Sequence, residues 1–198
     1  MASYIFNKLL TQGVRSGQIP ARSQEAREWY RDTAKNISRV NQKTILKNDP
    51  ERMTNRIDPG SMYLFSYDPK TKNDLPYFDR FPLVFPYADT SDGFMGINLH
   101  YLPHIMRAQL MDALYDLASN SRYDESTRLR LSYGLLNSAR KYRNFKPCIK
   151  KYLNSHVTSR FVYIYPSEWD MALFLPTERF AKADKAKVWK ESREKARA

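Results

Sequence analysis

Turn signals divide residues 58–103 so finely that only short strands fit between them. Asp58-Pro59-Gly60, Asp68-Pro69-Lys70 and Asp92-Gly93 each break the chain, and Leu102-Pro103 closes the series. The intervals between them, Met62 to Tyr67, Leu83 to Tyr87 and Phe94 to Tyr101, are rich in aromatic and apolar residues. That composition suits a pleated, half-buried surface. Pro82 and Pro86 confine the second strand to an edge or a strand end, because proline cannot donate to a ladder. Three short strands within about 40 residues predict a small antiparallel sheet or a small SH3-like barrel. A fourth strand is expected from Phe161 to Tyr165, stopped by Pro166.

Helical patterns flank this region. Ser23 is placed as an N-cap, and Ala26, Trp29, Tyr30, Ile37 and Val40 follow as one apolar stripe until Asn48-Asp49-Pro50. A polar stretch separates this helix from the strands. Trp29, Tyr30, Ile37 and Val40 are therefore expected to dock on another subunit. Pro103 can open a helix that carries Ile105, Leu110, Leu114 and Leu117. Glu125 to Arg143 reads as the next helix, with Leu129, Tyr133, Leu136 and Ala139 inward. Pro147 can start a short helix through Ile149, Tyr152 and Leu153, and Ser167 another through Trp169, Leu173 and Phe174. The expected fold class is α+β. Residues 1–57 form a helical extension, 58–180 a central α+β domain, and 181–198 a charged helix or arm.

Charge is the strongest functional signal. The 198 residues carry a formal net charge of +12, with enough hydrophobic residues (42%) to build a core. Between Ser126 and Ser167 there is no Asp or Glu. The same stretch holds Arg128, Arg130, Arg140, Lys141, Arg143, Lys146, Lys150, Lys151 and Arg160, interleaved with Tyr133, Tyr142, Phe145, Tyr152 and His156. Ordinary solvated surfaces mix signs, because like charges held close repel. A one-sign stretch is tolerable against an anionic partner, most commonly a phosphate backbone. On the helix from Glu125, Arg130, Asn137 and Lys141 share one side. Arg143 and Lys146 fall in the following joint and Lys150-Lys151 on the next helix, so a helix edge and a joint could line a groove for duplex DNA. No zinc finger, basic zipper or aromatic RNA-binding signature occurs, so binding is expected to be indifferent to sequence. The bland alternative is a solvated basic face, or one that meets an acidic protein neighbour. In the tail, Glu191 and Glu194 can pair with nearby lysines, which favours a solvated helix there.

Catalytic constellations do not emerge. His100 and His104 are four apart, but Pro103 separates a strand end from a helix start between them, so both read as satisfied polar residues at an element boundary. Asp68, Asp74, Asp79, Asp89 and Asp92 sit in turns, where Asp bonds nearby backbone amides. There is no Gly-rich phosphate loop and no nucleophile elbow. The one cysteine, Cys148, excludes an internal disulfide and a Cys-based zinc site, and reads as a small buried hydrophobe. No enzymatic activity, metal or cofactor is expected. No run approaches a membrane span, and the N-terminus lacks an apolar signal segment, so a soluble protein of a reducing cytosol or of an assembly built there is expected.

Three segments carry a resemblance: Gly60-Ser61-Met62-Tyr63-Leu64-Phe65-Ser66-Tyr67-Asp68-Pro69-Lys70, then Leu75-Pro76-Tyr77-Phe78-Asp79-Arg80-Phe81-Pro82-Leu83, then Gly96-Ile97-Asn98-Leu99-His100-Tyr101-Leu102-Pro103. From about Ser23 to the C-terminus the chain resembles the DNA end protector proteins, virion proteins of contractile-tailed bacteriophages of the T-even-like group, including marine cyanophages. The resemblance implies a protein that sits on the ends of packaged linear double-stranded DNA and shields them from host exonucleases by occupancy. It also implies other phage structural proteins as partners, an oligomeric state in the particle, and a location in the virion, with host cytoplasm during assembly. No catalytic or binding residues carry over with it. The rival class is a non-catalytic structural subunit of the phage neck, tail or baseplate.

Overall fold

The computed structural model describes residues 5–18, 23–38, 40–41, 45–46, 50–118, 122, 124, 133–136, 138 and 143–197. Eight strands appear among them: β1 Met53–Thr54, β2 Met62–Leu64, β3 Phe78–Asp79, β4 Leu83–Thr90, β5 Gly93–Asn98, β6 Ile149–Leu153, β7 Phe161–Ile164 and β8 Phe180–Ala181. Five α-helices accompany them: α1 Ile5–Arg15, α2 Gln24–Lys35, α3 His104–Ala118, α4 Trp169–Phe174 and α5 Lys185–Arg197. Six strands form one antiparallel sheet in the order β1-β7-β2-β4-β5-β6, while β3 and β8 pair separately. The class is α+β.

The barrel alternative is corrected. An isolated bridge joins Tyr67 and Val157, but β1 and β6 remain the edges of the sheet and, among the described residues, no ladder closes it. The expected edge position of the proline-bearing strand is corrected too. β4 lies between β2 and β5, and its register with β5 shifts between Pro86 and Ala88. A bulge interrupts pairing at the proline, which cannot supply an N–H. Its carbonyl is used, accepting from Gly60 N–H at 3.0 Å.

Period-two alternation gives the sheet two different faces. Met62, Leu64, Leu83, Phe85, Ile97, Val162 and Ile164 join the helices in the larger core. Tyr63, Phe65, Val84, Phe94, Tyr152 and Phe161 form a second, aromatic cluster on the other side. Its rings meet mostly edge to face, as Phe65 does with Tyr152 at 5.2 Å and with Phe161 at 5.0 Å. That is the arrangement favoured by ring quadrupoles.

The helix after Ser23 forms as expected, with Ser23 Oγ accepting from Ala26 N–H at 3.1 Å. Its placement differs from the expectation. Tyr30 and Val40 are buried in this chain's own core, and Trp29 and Ile37 pack half-buried against it. Arg27 and Arg31 hold the helix there. Arg27 reaches Asp112 at 2.7 Å and Asp170 at 2.9 Å, and Arg31 reaches the same two carboxylates at the same distances. On α3, Leu110 and Leu114 are inward as expected, but Ile105 is 75% exposed; the side chain of Leu117 lies outside the described residues. Most of the Glu125–Arg143 helix also lies outside them; residues 133–136 and 138 are helical, with Leu136 buried.

Candidate nucleic-acid interface

Of the nine expected DNA-binding cations, Arg128, Arg130, Arg140 and Lys141 lie outside the described residues, as does the side chain of Arg143. Arg143 opens a 3₁₀ turn, Arg143–Cys148, on which Lys146 is exposed. The expected helix from Pro147 is corrected: Ile149–Leu153 is β6, paired with β5 along its whole length. Gly93 makes that pairing possible, since a Cβ there would lie 1.8 Å from the Tyr152 carbonyl oxygen.

Lys150 and Lys151 therefore point to opposite sides of an edge strand. Lys150 Nζ sits 4.1 Å from the centroid of the Tyr101 ring, a cation–π contact. Burial pushes its pKa down to about 8, against the nearby Cys148, with Lys195 of α5 lowering it further. Lys151 Nζ pairs with Asp92 Oδ1 at 2.7 Å, an exposed pair. Arg160 stands apart from both: its guanidinium donates to the Met53 carbonyl, and it shares a cavity of about 520 Å³ with Arg56 and Asp58. The described cations thus fall into two groups.

The group around Lys150 has a shaped neighbour. A cavity of about 330 Å³ opens beside β6, lined by Tyr67, Lys70, Tyr77, Phe78, Tyr101, Lys150, Lys151 and Tyr152, with Asp79 and Asn98 also on its wall. Helix α5 packs along the 143–148 turn, anchored by the buried Val188. It places Glu191 beside the Tyr77 hydroxyl, whose pKa burial first and this carboxylate second push up to about 12. Lys70, Lys195, Tyr77 and Tyr101 were not among the residues assigned to DNA binding from the sequence. They reach this site from three separated segments, and the motif segments between Gly60 and Pro103 contain three of them, Lys70, Tyr77 and Tyr101.

A buried polar lattice supports the cavity. Asp79 Oδ1 accepts from Phe81 N–H at 3.0 Å and Arg179 N–H at 3.2 Å, and Asp79 Oδ2 meets Asn98 Nδ2 at 3.1 Å and His100 Nδ1 at 2.6 Å. Despite complete burial, the charge of His100 and these donors hold the Asp79 carboxyl below its ordinary range. His100 Nε2 meets Thr177 Oγ1 at 3.0 Å. Thr177, His100 and Asp79 thus follow the order of a nucleophile, base and orienting acid. Both Thr177 and His100 are fully buried, however. The chain uses the relay to tie the β3–β8 pair to the end of β5.

Arg107 is buried below, donating to the carbonyls of Leu102, Leu173 and His100 at 2.7, 2.6 and 3.2 Å. His104 does not approach His100's partners; it packs against Phe174 and Trp189, and burial lowers its pKa to about 4. Cys148 is buried, donates to the Phe145 carbonyl, and has its pKa raised to about 12 by burial. Among the described residues no group of three His, Cys, Asp or Glu could hold a metal, and no helix is long and apolar enough to cross a membrane.

The family model described as phage T4 terminal DNA protecting protein matches residues 5–193. The chain belongs to this family. Membership makes it a phage protein of the DNA-protecting type, and it extends the likeness beyond Ser23 to include α1. No curated protein and no solved structure shows significant similarity to the chain. β6, the 143–148 turn and α5 as far as Arg193 belong to the matched region, while Lys195 lies just beyond it.

Proposed function

We propose that this chain is a virion protein that binds the ends of packaged linear double-stranded DNA without reading sequence, and shields them from exonucleases by occupying them. Family membership carries the reading. The charge distribution supports it: Lys150 and Lys195 come near each other where β6 and α5 meet, Lys146 is exposed on the adjoining 143–148 turn, and Lys70 lines the same cavity as Lys150. Protection by occupancy requires phosphate contacts and slow release, and no bond need be made or broken. The purely structural alternative relied on a free α2 stripe to clasp a neighbour. Much of that stripe is spent inside the chain.

The test is an exonuclease time course on blunt linear duplex with and without the purified protein. Digestion should slow in proportion to occupancy, and protection should fade as salt rises, because each neutralised phosphate releases counterions. Unchanged digestion at saturating protein and low salt would sink the proposal. Oligomeric state and contacts with other virion proteins belong to the same proposal, and are checked by light scattering and by pull-down from assembled particles.

A further inference from the structure

A flat basic surface binds the middle of a duplex as well as its end. Something else must distinguish the two, and the cavity beside β6 has the required chemistry. Its volume, about 330 Å³, falls in the range of small-ligand sites. Its hydrogen-bonding character is one-sided. The single carboxylate on its wall, Asp79, is consumed by four donors. Tyr67 and Tyr152 use their hydroxyl oxygens to accept, from Leu153 N–H at 3.1 Å and from Asn98 Nδ2 at 3.0 Å. Among the described residues neither hydroxyl proton finds an acceptor. What these side chains offer a ligand is therefore mainly donors: the phenol O–H groups of Tyr67 and Tyr152 and the ammonium groups of Lys70 and Lys150, with Lys151 already paired to Asp92 and the Thr71 hydroxyl able to act either way. Aromatic rings make up much of the rest. Donors that lack an acceptor, on aromatic walls, select an anion that carries a flat apolar body.

We propose that this cavity receives the terminal nucleotide of one DNA strand, its base against the tyrosine rings and its phosphate on Lys150 and Lys70. The proposal rests on the DNA-end reading above and adds the device that recognises the end. An internal base can enter a pocket only by leaving its stack and its partner, at a cost of a few kcal/mol, whereas a terminal pair gives up least. The cavity converts that difference into preference for ends. Lys150 is suited to the role because it is held over Tyr101 and half-buried, so an incoming phosphate meets a cation already short of water.

Competition between a short linear duplex and a relaxed, covalently closed minicircle of matched sequence tests this. The full chain should favour the linear form by about tenfold, the worth of one base stacked on an aromatic side chain. In Lys150→Met, which keeps an apolar stem over Tyr101, the ratio should fall toward one. Equal affinity for both forms in the wild type overturns the cavity proposal and leaves non-specific DNA binding standing. Failure to bind either form overturns both.

A second measurement does not depend on any variant. A 2-aminopurine placed at the strand terminus should change its emission on binding, and one placed centrally should not. The same response at both positions, or none at the terminus, overturns the proposal. If deoxynucleoside monophosphate saturates the site without weakening linear-duplex binding, the occupant is a free nucleotide and the proposal also falls.

Discussion

Replacing Asp79 with Ala should cost this chain a large part of its stability. Four donors, three of them buried, converge on that carboxylate. Asn98 Nδ2 keeps a second partner in the Tyr152 hydroxyl, so its loss is partial. The amides of Phe81 and Arg179 and the Nδ1 of His100 lose the partner the carboxylate supplies. A buried donor stranded in this way costs about 1–3 kcal/mol, so Phe81 N–H and His100 Nδ1 cost at least about 2 kcal/mol, and the partly buried Arg179 N–H adds less. Native domains hold only about 5–15 kcal/mol.

Urea unfolding at neutral pH is the assay. With a slope of about 2 kcal/mol/M, the midpoint should fall by roughly 1 M or more. Asp79→Asn should be milder, because one oxygen still serves the two amides while the new NH₂ opposes Asn98. The pH dependence has a definite sign. Asp79 has a lowered pKa in the fold, so its contribution is present above the ordinary carboxylate range and is lost as pH falls through the lowered value. The gap between wild type and Asp79→Asn should therefore narrow in acid. A midpoint shift in Asp79→Ala worth less than about 1 kcal/mol would refute the idea that this lattice holds the cavity floor.

Other consequences are equally open to measurement. Arg52 and Glu168 form a buried pair, with Arg52 Nη2 2.6 Å from Glu168 Oε1. Either single change, Arg52→Met or Glu168→Leu, should cost about 3–5 kcal/mol, and the double change should cost less than either, as a denaturation cycle would show. Gly93→Ala should separate β5 from β6, because its Cβ would overlap the Tyr152 carbonyl, and should abolish end preference along with stability. Lys150, with its pKa near 8, gives DNA binding that weakens from pH 7 to pH 9. Its effect on stability runs the other way: the cost of burying its charge is full below about pH 8 and is relieved as pH rises toward 10.5, a rise that Lys150→Met should remove. Lys151→Ala, which breaks only an exposed pair, should change stability by less than about 1 kcal/mol.

The local features of this fold were legible in the sequence, and the long-range ones were not. Ser23 announced its helix because a cap is a contact three residues long. The strands at Met62, Leu83, Phe94 and Phe161 stood out between their breakers. β6 did not. Ile149, Tyr152 and Leu153 fall at helical spacing after a proline, and only Gly93 on the partner strand reveals why a backbone can lie there. Pro86 argued for an edge, yet the bulge beside it lets β4 run through the middle of the sheet.

Nothing in the local sequence marks Arg27 and Arg31 of α2 as buried. Asp112 and Asp170, far along the chain, neutralise them and turn an expected docking helix into core. The candidate site divided in the same way. Lys150 was visible as charge, but its strand, its aromatic support at Tyr101 and its neighbour Lys195 are products of the tertiary fold. The tail that read as an ordinary solvated helix supplies one of those neighbours.

Site-directed photocrosslinking from position 70 to an end-labelled blunt duplex bears most directly on how this chain engages DNA. Lys70 is exposed and lines the cavity, so a crosslinker there samples what enters it. The account requires adducts concentrated on the last one or two nucleotides of a strand. Adducts spread evenly along the duplex, with none enriched at the terminus, would contradict it.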